Sequence, residues 1–242
     1  MTSQHQGEHS GSQKGFTFSW DLLWAILAMG FMAYGLYKVF YASPLLKHTG
    51  LPWWSQKIFY IHLPAAWGSL AGLLLVFAGS VGYIWSEKEK WDTLAVAAAE
   101  VCFLYGLLVL ITGPLWARPS WGIFWKWEDP RLMSYLALWL ILGAYFLLRA
   151  YGGKGRGIRM ASAALGVIGT FSVPLVYMSV KLWRSVHPMV KNKDMDASVR
   201  STLWICLLAF TFLFILLVRV RRRLEEQQNE LHHMTLKIQE LE

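Results

Sequence analysis

The sequence predicts an all-α, polytopic membrane protein with six transmembrane helices, a Trp-rich loop on the outer face and a C-terminal cytoplasmic helix. The 242-residue chain is 55% hydrophobic, and only 16% of its residues are charged. Soluble domains carry about a quarter charged residues. Several apolar runs also reach the roughly 20 residues that cross the hydrocarbon core of a bilayer.

Six apolar runs, taken in chain order, predict the six helices. Their approximate ranges are 18–42, 57–85, 93–117, 132–150, 158–182 and 198–219. The connections between the runs are short, so successive helices should be antiparallel neighbours. Closely spaced glycines and alanines in the second and fifth runs should let helices approach one another closely.

The polar residues before the first run predict a disordered cytoplasmic tail over 1–17, in which His5 and His9 are solvated. This segment lacks the charged start, apolar core and small-residue cleavage site of a signal peptide. The six-helix membrane domain is then expected over 18–219, and a cytoplasmic helical tail over 220–242.

Charge near the ends of the apolar runs indicates the orientation. The loops on the two sides carry nearly equal numbers of Lys and Arg, so the positive-inside rule gives only weak evidence for the orientation. The densest basic clusters lie on the side of the termini, and an even number of helices puts both termini together. We therefore expect both termini in the cytoplasm and the Trp-rich loop in the periplasm. The basic residues of the outer side then indicate an anionic ligand; they are Lys57, Arg118, Lys126, Arg131 and Arg184.

A seven-residue repeat marks the C-terminal segment. Its a and d positions are Leu224, Gln227, Leu231, Met234, Ile238 and Leu241. The pattern predicts a helix that pairs with a partner or lies on the membrane surface. Because so short a repeat is marginal as an isolated coiled coil, we expect the tail to dock on a partner.

Several chemistries are disfavoured by the sequence. Cys102 and Cys206 lie within apolar runs and are expected to be packing residues. The chain contains neither C-x-x-C nor C-x-x-C-H, which argues against dithiol redox work and covalent haem attachment. It also lacks G-x-x-x-x-G-K-[ST], so any ATP hydrolysis would belong to another subunit. Nucleic acid is not indicated, because the basic residues lie at the ends of apolar runs.

Two histidines outside the tails are candidate metal ligands. His62 lies near the outer start of the second run and His187 just after the fifth, so both should reach the face of the Trp-rich loop. Imidazole is a good iron ligand, and a planar macrocycle takes axial ligands from opposite sides. Pro64 and Pro188 should fix the chain direction beside them. Taken singly, each histidine is better explained as a hydrogen-bonded packing or interface residue.

The stretch "WGIFWKWEDPRLM", residues 121–133, is too charged to cross a bilayer and too aromatic for an ordinary loop. In a helix Trp121 and Trp125 share a face. In an extended chain Trp125 and Trp127 share a face. Either conformation permits an aromatic wall for a flat porphyrin, whereas an interfacial helix that anchors the loop explains the same composition.

The charges within this stretch suit the rim of such a site. Arg131 or Lys126 could bind the two propionates of a porphyrin. Glu128 and Asp129 could hold those cations or cap the fourth helix beside Pro130.

The residues "WGIFWKWEDPRL" resemble the WGxxWxWD, or WWD, signature of the haem-handling protein superfamily. The six-helix layout resembles the CcmC family of the cytochrome c maturation system, and so does the placement of one histidine before the second helix core and one after the fifth helix. The resemblance covers about 20–217. It implies that haem b is bound non-covalently, with His62 and His187 as its two axial ligands.

The same resemblance implies a haem-binding loop within 113–131. Its members would be Trp121, Gly122, Trp125, Trp127, Glu128, Asp129 and Arg131. The family has Asp directly after the last Trp of the signature, whereas here Glu128 precedes Asp129. Either acid could therefore take that role.

The resemblance further implies haem export and delivery without enzyme activity, in the bacterial inner membrane. The expected partners are the ABC-type subunits CcmA and CcmB, the small protein CcmD, and the periplasmic chaperone CcmE as haem acceptor. The ATPase of that complex is the expected partner of the C-terminal tail.

Two other functions remain open. A haem–cytochrome c ligase is one, although the larger relatives with that activity have more helices and a large extra outer domain. A permease for haem or another solute is the other, and it needs polar groups deep within the helices. Lys38 lies near a helix end and can extend to the interface. Glu100, inside the third run, is either a functional acid or a locally hydrogen-bonded one.

Overall fold

A computed structural model describes residues 20–44, 52–153, 155–182 and 195–240 of the protein. Within these ranges the chain forms six long helices and no strand. Their bounds are α1 Trp20–Tyr37, which continues into a π-helical turn at Lys38–Ala42, α2 Trp53–Ser86, α3 Glu89–Trp121, α4 Pro130–Gly152, α5 Arg156–Leu182 and α6 Ala197–Gln239. All six are long and apolar enough to span a membrane, which confirms the predicted fold class.

Helices α2 and α3 form the centre of the bundle. Helix α5 packs against α2 and α4, and α1 packs against α6. Small side chains make the α2–α3 contact close: Ala97, Ala98 and Ala99 are fully buried. A methyl group added at Gly79 would lie 2.8 Å from the backbone nitrogen of Ala95, closer than real Cβ atoms come to another atom. Glycine is therefore required there, and the two backbones are held in a fixed relation.

Three of the helices are longer than the roughly 45 Å of a bilayer with its headgroup regions. Helices α2 and α3 have 34 and 33 residues, or about 50 Å each at about 1.5 Å per residue. The hydrocarbon core is about 30 Å thick. Helix α6, with 43 residues, runs without a break across the predicted domain boundary at residue 220. The predicted tail is thus a continuation of the last membrane helix.

At one end of the bundle, which we call the ion-pair end, charged side chains from several helices bind one another. Asp92 of α3 is only 2% exposed and accepts two hydrogen bonds from Arg149 of α4, at 2.7 and 2.9 Å. Arg159 of α5 lies 3.7 Å from Asp92 and 2.8 Å from Glu89. These contacts join the starts of α3 and α5 to the end of α4.

Helix α6 supplies partners for both ionisable residues that the sequence analysis located within apolar runs. Arg221 binds both carboxylate oxygens of Glu100 and donates a hydrogen bond of 2.8 Å to Glu225. Lys38 donates to the hydroxyl of Ser201 at 3.0 Å. Glu100 therefore contributes to packing at the ion-pair end.

The heptad positions of α6 face away from the bundle. Leu224, Leu231 and Ile238 are 48%, 63% and 60% exposed, whereas the polar Glu225 and Asn229 are buried against the other helices. The apolar seam is therefore not used within the described part of the chain. Docking of this seam on a partner stays a prediction.

Candidate functional site

A cavity lies at the other end of the bundle, which we call the Trp-rich end, where α3 passes into α4 through residues 122–129. It encloses about 1000 Å³ of empty space, including its open mouth. Its lining comes from four helices and the connecting segment: Ile58, Phe59, His62, Leu63, Ala66, Leu70, Val109, Leu110, Gly113, Pro114, Trp116, Ala117, Trp121, Phe124, Trp125, Arg131, Leu132, Tyr135 and Val176.

Gly122 ends α3 and turns the chain into the connecting segment. Its φ of 80° lies in the left-handed region, which glycine enters without steric cost. Its N–H donates to the carbonyl of Arg118 at 3.0 Å, and the Arg118 guanidinium donates to the carbonyl of Gly122. The Trp-Gly pair of the motif is thus a helix end, and residues 113–121 of the predicted loop are helical.

Asp129 starts α4. Its carboxylate accepts hydrogen bonds from the backbone N–H groups of Arg131, at 3.0 Å, and Leu132, at 3.3 Å. Pro130 takes the first helical position, where its missing N–H costs nothing. Asp129 is 2% exposed, whereas Glu128 is exposed. Of the two acids that the sequence left open, Asp129 is the one that caps the helix and so orients Arg131.

The aromatic side chains divide into two groups. Trp121 and Trp125 line the cavity, together with Trp116 and Phe124, which the sequence analysis did not single out. Trp127 is 66% exposed and is not part of the lining. The rings do not form one flat wall, because Trp116 meets Trp121 edge to face and Trp125 meets Trp127 at 64°.

Trp125 carries a buried donor without an acceptor. Its indole Nε1 has no hydrogen-bond partner among the residues that the structure describes. A buried N–H that lacks an acceptor is costly. An acceptor from a bound ligand would remove that cost.

His62 lies on the wall of the cavity, within α2. Its Nδ1 is 2.9 Å from the hydroxyl oxygen of Thr112 on α3. Pro64 lies inside α2 and does not end it. The expected effect of this proline on chain direction is therefore small.

Two of the residues predicted to bind the ligand fall outside the described ranges. They are His187, the second predicted ligand, and Arg184. Lys126 is half-buried and is not among the residues of the lining. Of the predicted cations that the structure describes, Arg131 is the one that lines the cavity.

The arrangement suits a flat apolar ligand that carries an acid and a metal. Aromatic and aliphatic side chains form most of the wall, His62 offers an imidazole, and Arg131 offers a guanidinium. Among the described residues, no group of three or more His, Cys, Asp or Glu side chains is arranged so that it could hold a metal ion. A porphyrin iron needs only axial ligands from the protein, so such a group is not required for it.

Sequence reasoning missed the hydroxyl groups around the cavity. Thr112 contacts His62, and Tyr135 shares a hydrogen bond of 2.7 Å with Ser69. A polar residue inside an apolar run is a weak signal by itself, because it can bond to its own helix. Phe124 could have been found, since it lies within the Trp-rich stretch.

Comparison with known proteins gives consistent results. The family model of heme exporter protein C, CcmC, matches residues 9–237. The heme exporter protein C of Bradyrhizobium diazoefficiens is 35% identical over 167 residues, which are 66% of this chain and 63% of that protein. The chain thus spans less than two thirds of that relative. The heme exporter protein C of Escherichia coli K12 is 32% identical over 177 residues, 70% of this chain and 69% of that protein. The one from Paracoccus denitrificans is 29% identical over 181 residues, with 72% and 75% covered.

Proposed function

The chain belongs to the heme exporter protein C (CcmC) family, and on that premise we propose that it is a haem-presenting membrane subunit of cytochrome c maturation. It binds haem in the cavity at the Trp-rich end. The observation that carries this proposal is the position of His62 on the wall of a large aromatic cavity that Arg131 also lines.

We infer that His62 and His187 are the two axial ligands of haem b. His62 has the geometry for this role, because it combines an imidazole on the cavity wall with a neighbour that holds one ring nitrogen. The resemblance of the sequence to the family supplies the second ligand, His187. The haem is cargo that is passed on, so the protein would bind it firmly but not covalently.

The Trp-rich segment would hold the porphyrin. Trp121 and Trp125 supply aromatic surface on the cavity wall, and Arg131 pairs with a propionate through a charge-assisted hydrogen bond. Gly122 and Asp129 shape the segment by ending α3 and starting α4. Trp127 and Glu128, which are exposed, would meet the part of the haem that lies at the mouth, or the acceptor protein.

The proposed location and partners follow from the family. The protein is a multi-pass membrane protein, and we place it in the bacterial inner membrane with both termini in the cytoplasm and the Trp-rich end at the periplasm. CcmA, CcmB and CcmD would form a membrane complex with it, and CcmE would accept the haem. The protein itself would have no enzymatic activity. A permease is not favoured, since Glu100 is paired with Arg221.

The visible spectrum of the purified full-length protein tests this proposal. Wild-type protein should show a low-spin spectrum with two imidazole ligands. His62→Ala and His187→Ala should each remove a strong-field ligand and shift the Soret and visible bands. His232→Ala, in the part of α6 at the ion-pair end, is the matched control and should leave the spectrum unchanged. Wild-type spectra in both ligand variants would refute the ligand assignment.

A further inference from the structure

The contact between His62 and Thr112 determines which nitrogen of the imidazole carries hydrogen. The Thr112 hydroxyl oxygen lies 2.9 Å from His62 Nδ1 and 2.7 Å from the carbonyl oxygen of Leu108. A threonine hydroxyl has one hydrogen to donate and two lone pairs with which to accept. A carbonyl oxygen has no hydrogen to donate, so the hydrogen in the 2.7 Å contact can come only from Thr112. The carbonyl of Val109, at 3.5 Å, offers the same hydrogen a longer contact within the same helix.

The contact with His62 then needs a hydrogen from the imidazole. If the Thr112 hydroxyl donated to Nδ1 instead, two acceptor oxygens would face each other at 2.7 Å with no hydrogen between them. The arrangement that places one hydrogen in each contact has Nδ1–H donating to Thr112 and Thr112 donating to Leu108. We therefore propose that Thr112 holds His62 as the Nδ1–H tautomer and makes Nε2 the iron-binding nitrogen.

Both residues of this contact lie within helices that pack against each other. Thr112 is 9% exposed and lies on α3, and His62 lies on α2. These are the two helices at the centre of the bundle, with backbones in close contact at Gly79. A methyl group added at the adjacent Gly113 would lie 3.4 Å from His62 Cε1. The imidazole edge thus rests on the α3 backbone, with Thr112 at Nδ1.

Thr112 is in this sense a positioning residue for the proposed ligand. A hydrogen bond from the second ring nitrogen of a metal-bound histidine fixes the ring orientation and raises the basicity of the ligand. Loss of such a partner lowers metal affinity about 10–100-fold. A stronger imidazole donor also stabilises ferric over ferrous iron, so loss of the bond should raise the midpoint potential of the haem.

The tautomer can be measured before any haem is added. The experiment uses full-length protein with ¹⁵N-labelled histidine, in detergent at about pH 8. At that pH most imidazoles are neutral, because their ordinary pKa is about 6.5. The ¹⁵N resonances that disappear in His62→Ala belong to His62. We expect a protonated Nδ1 and an unprotonated Nε2 at this residue. A protonated Nε2 with an unprotonated Nδ1 would overturn the proposal.

The second measurement uses haem-loaded protein and rests on the proposed function. Thr112→Val keeps the branched shape and removes the hydroxyl, whereas Thr112→Ser keeps the hydroxyl. Thr202→Val is the matched control, because Thr202 is buried and its hydroxyl bonds only to its own helix, at Ser198, in the contacts described. We expect Thr112→Val to bind haem about tenfold more weakly and at a higher midpoint potential, with Thr112→Ser and Thr202→Val near wild type.

The two measurements separate this proposal from the proposed function. If His62 does not bind iron, the ligand variants keep wild-type spectra, whereas the haem-free ¹⁵N result is unaffected. If His62 does bind iron and Thr112→Val matches wild type in affinity and potential, the positioning role of Thr112 is refuted. Should Thr112→Val fail to fold, the ¹⁵N measurement on wild-type protein still decides the tautomer.

Discussion

The two ends of the helix bundle differ in the partners that their buried polar groups have. At the ion-pair end, Asp92, Arg149 and Arg159 bind one another with little exposure to solvent. At the Trp-rich end, Arg131 lines an apolar cavity, and the charge of Asp129 acts on it electrostatically. There the buried indole N–H of Trp125 also lacks an acceptor among the described residues.

This difference separates a structural role from a binding role. A buried charge or donor is costly unless a partner is present. The ion-pair end supplies its partners from within the chain, so it joins helices. The Trp-rich end places an imidazole, a guanidinium and an indole on the wall of an apolar cavity, where a bound ligand can contact them.

The largest expected effect comes from a test of which side of the membrane each end lies on. A cysteine is either labelled by an impermeant reagent from outside or not labelled at all. Trp127 and Leu231 mark the two ends and have matched exposures of 66% and 63%. In full-length protein without Cys102 and Cys206, a membrane-impermeant maleimide applied to spheroplasts should label Trp127→Cys and spare Leu231→Cys. Both should be labelled after the membrane is permeabilised. The reverse pattern would invert the proposed orientation.

Removal of one charge at the ion-pair end should lower the free energy of unfolding and leave haem binding intact. Asp92→Asn leaves Arg149 with only the more distant carboxylate of Glu225, at 3.9 Å. Removing one partner of a buried ion pair costs about 3–5 kcal/mol. Unfolding of the purified protein in detergent by added dodecyl sulfate measures this loss. The haem spectrum of the folded fraction should match wild type.

The matched control is an exposed pair at the same end. Arg156 binds Glu87 at 2.5 and 2.6 Å and holds the pKa of that carboxyl below its usual value. Both side chains are exposed to solvent, so Glu87→Gln should change the unfolding curve little. Equal losses in Asp92→Asn and Glu87→Gln would show that burial does not distinguish the two pairs.

The smallest expected effect is at the Trp-rich end, where Arg131→Ala should lower haem affinity about tenfold, the equivalent of one hydrogen bond to a charged group. Arg131→Lys should restore it only in part, because Lys cannot make the two-pronged contact with a carboxylate. Haem retention on a desalting column and direct titration measure the change.

Substitution of two tryptophans compares a residue that lines the cavity with one that does not. Trp125→Ala removes a ring from the cavity wall and should lower haem occupancy without moving the axial-ligand bands. Trp127→Ala, outside the lining, should lower occupancy less. Full occupancy in both Arg131→Ala and Trp125→Ala would leave the Trp-rich segment as a membrane anchor.

Much of the candidate site could be predicted from the sequence because its motif is local. Trp121, Trp125 and Arg131 lie within eleven consecutive residues and all reach the cavity. The choice between Glu128 and Asp129 could not be predicted, since it depends on which residue immediately precedes the first turn of α4. Trp116 was missed because a single Trp near a helix end is also what an interfacial belt produces.

The C-terminal repeat shows a different limit. Its heptad spacing predicted a helix, and α6 does extend to Gln239. The face that packs on the bundle is instead the polar one, with Glu225 buried beside Arg221 and near Arg149. A hydrophobic seam indicates that a helix can be amphipathic, but the partner that covers the seam is a property of the assembly.

The sequence by itself determined the six helices, their order and the position of the Trp-rich segment, because each depends on residues close together in the chain. A run of about 20 apolar residues can satisfy its backbone in a bilayer only as a helix. Tertiary structure alone decided that Thr112 meets His62, that Arg149 meets Asp92, and that Trp125 faces the cavity while Trp127 does not. Those contacts depend on how each helix is rotated and how closely its neighbours approach, and small residues such as Gly79 set that approach only once the helices are packed.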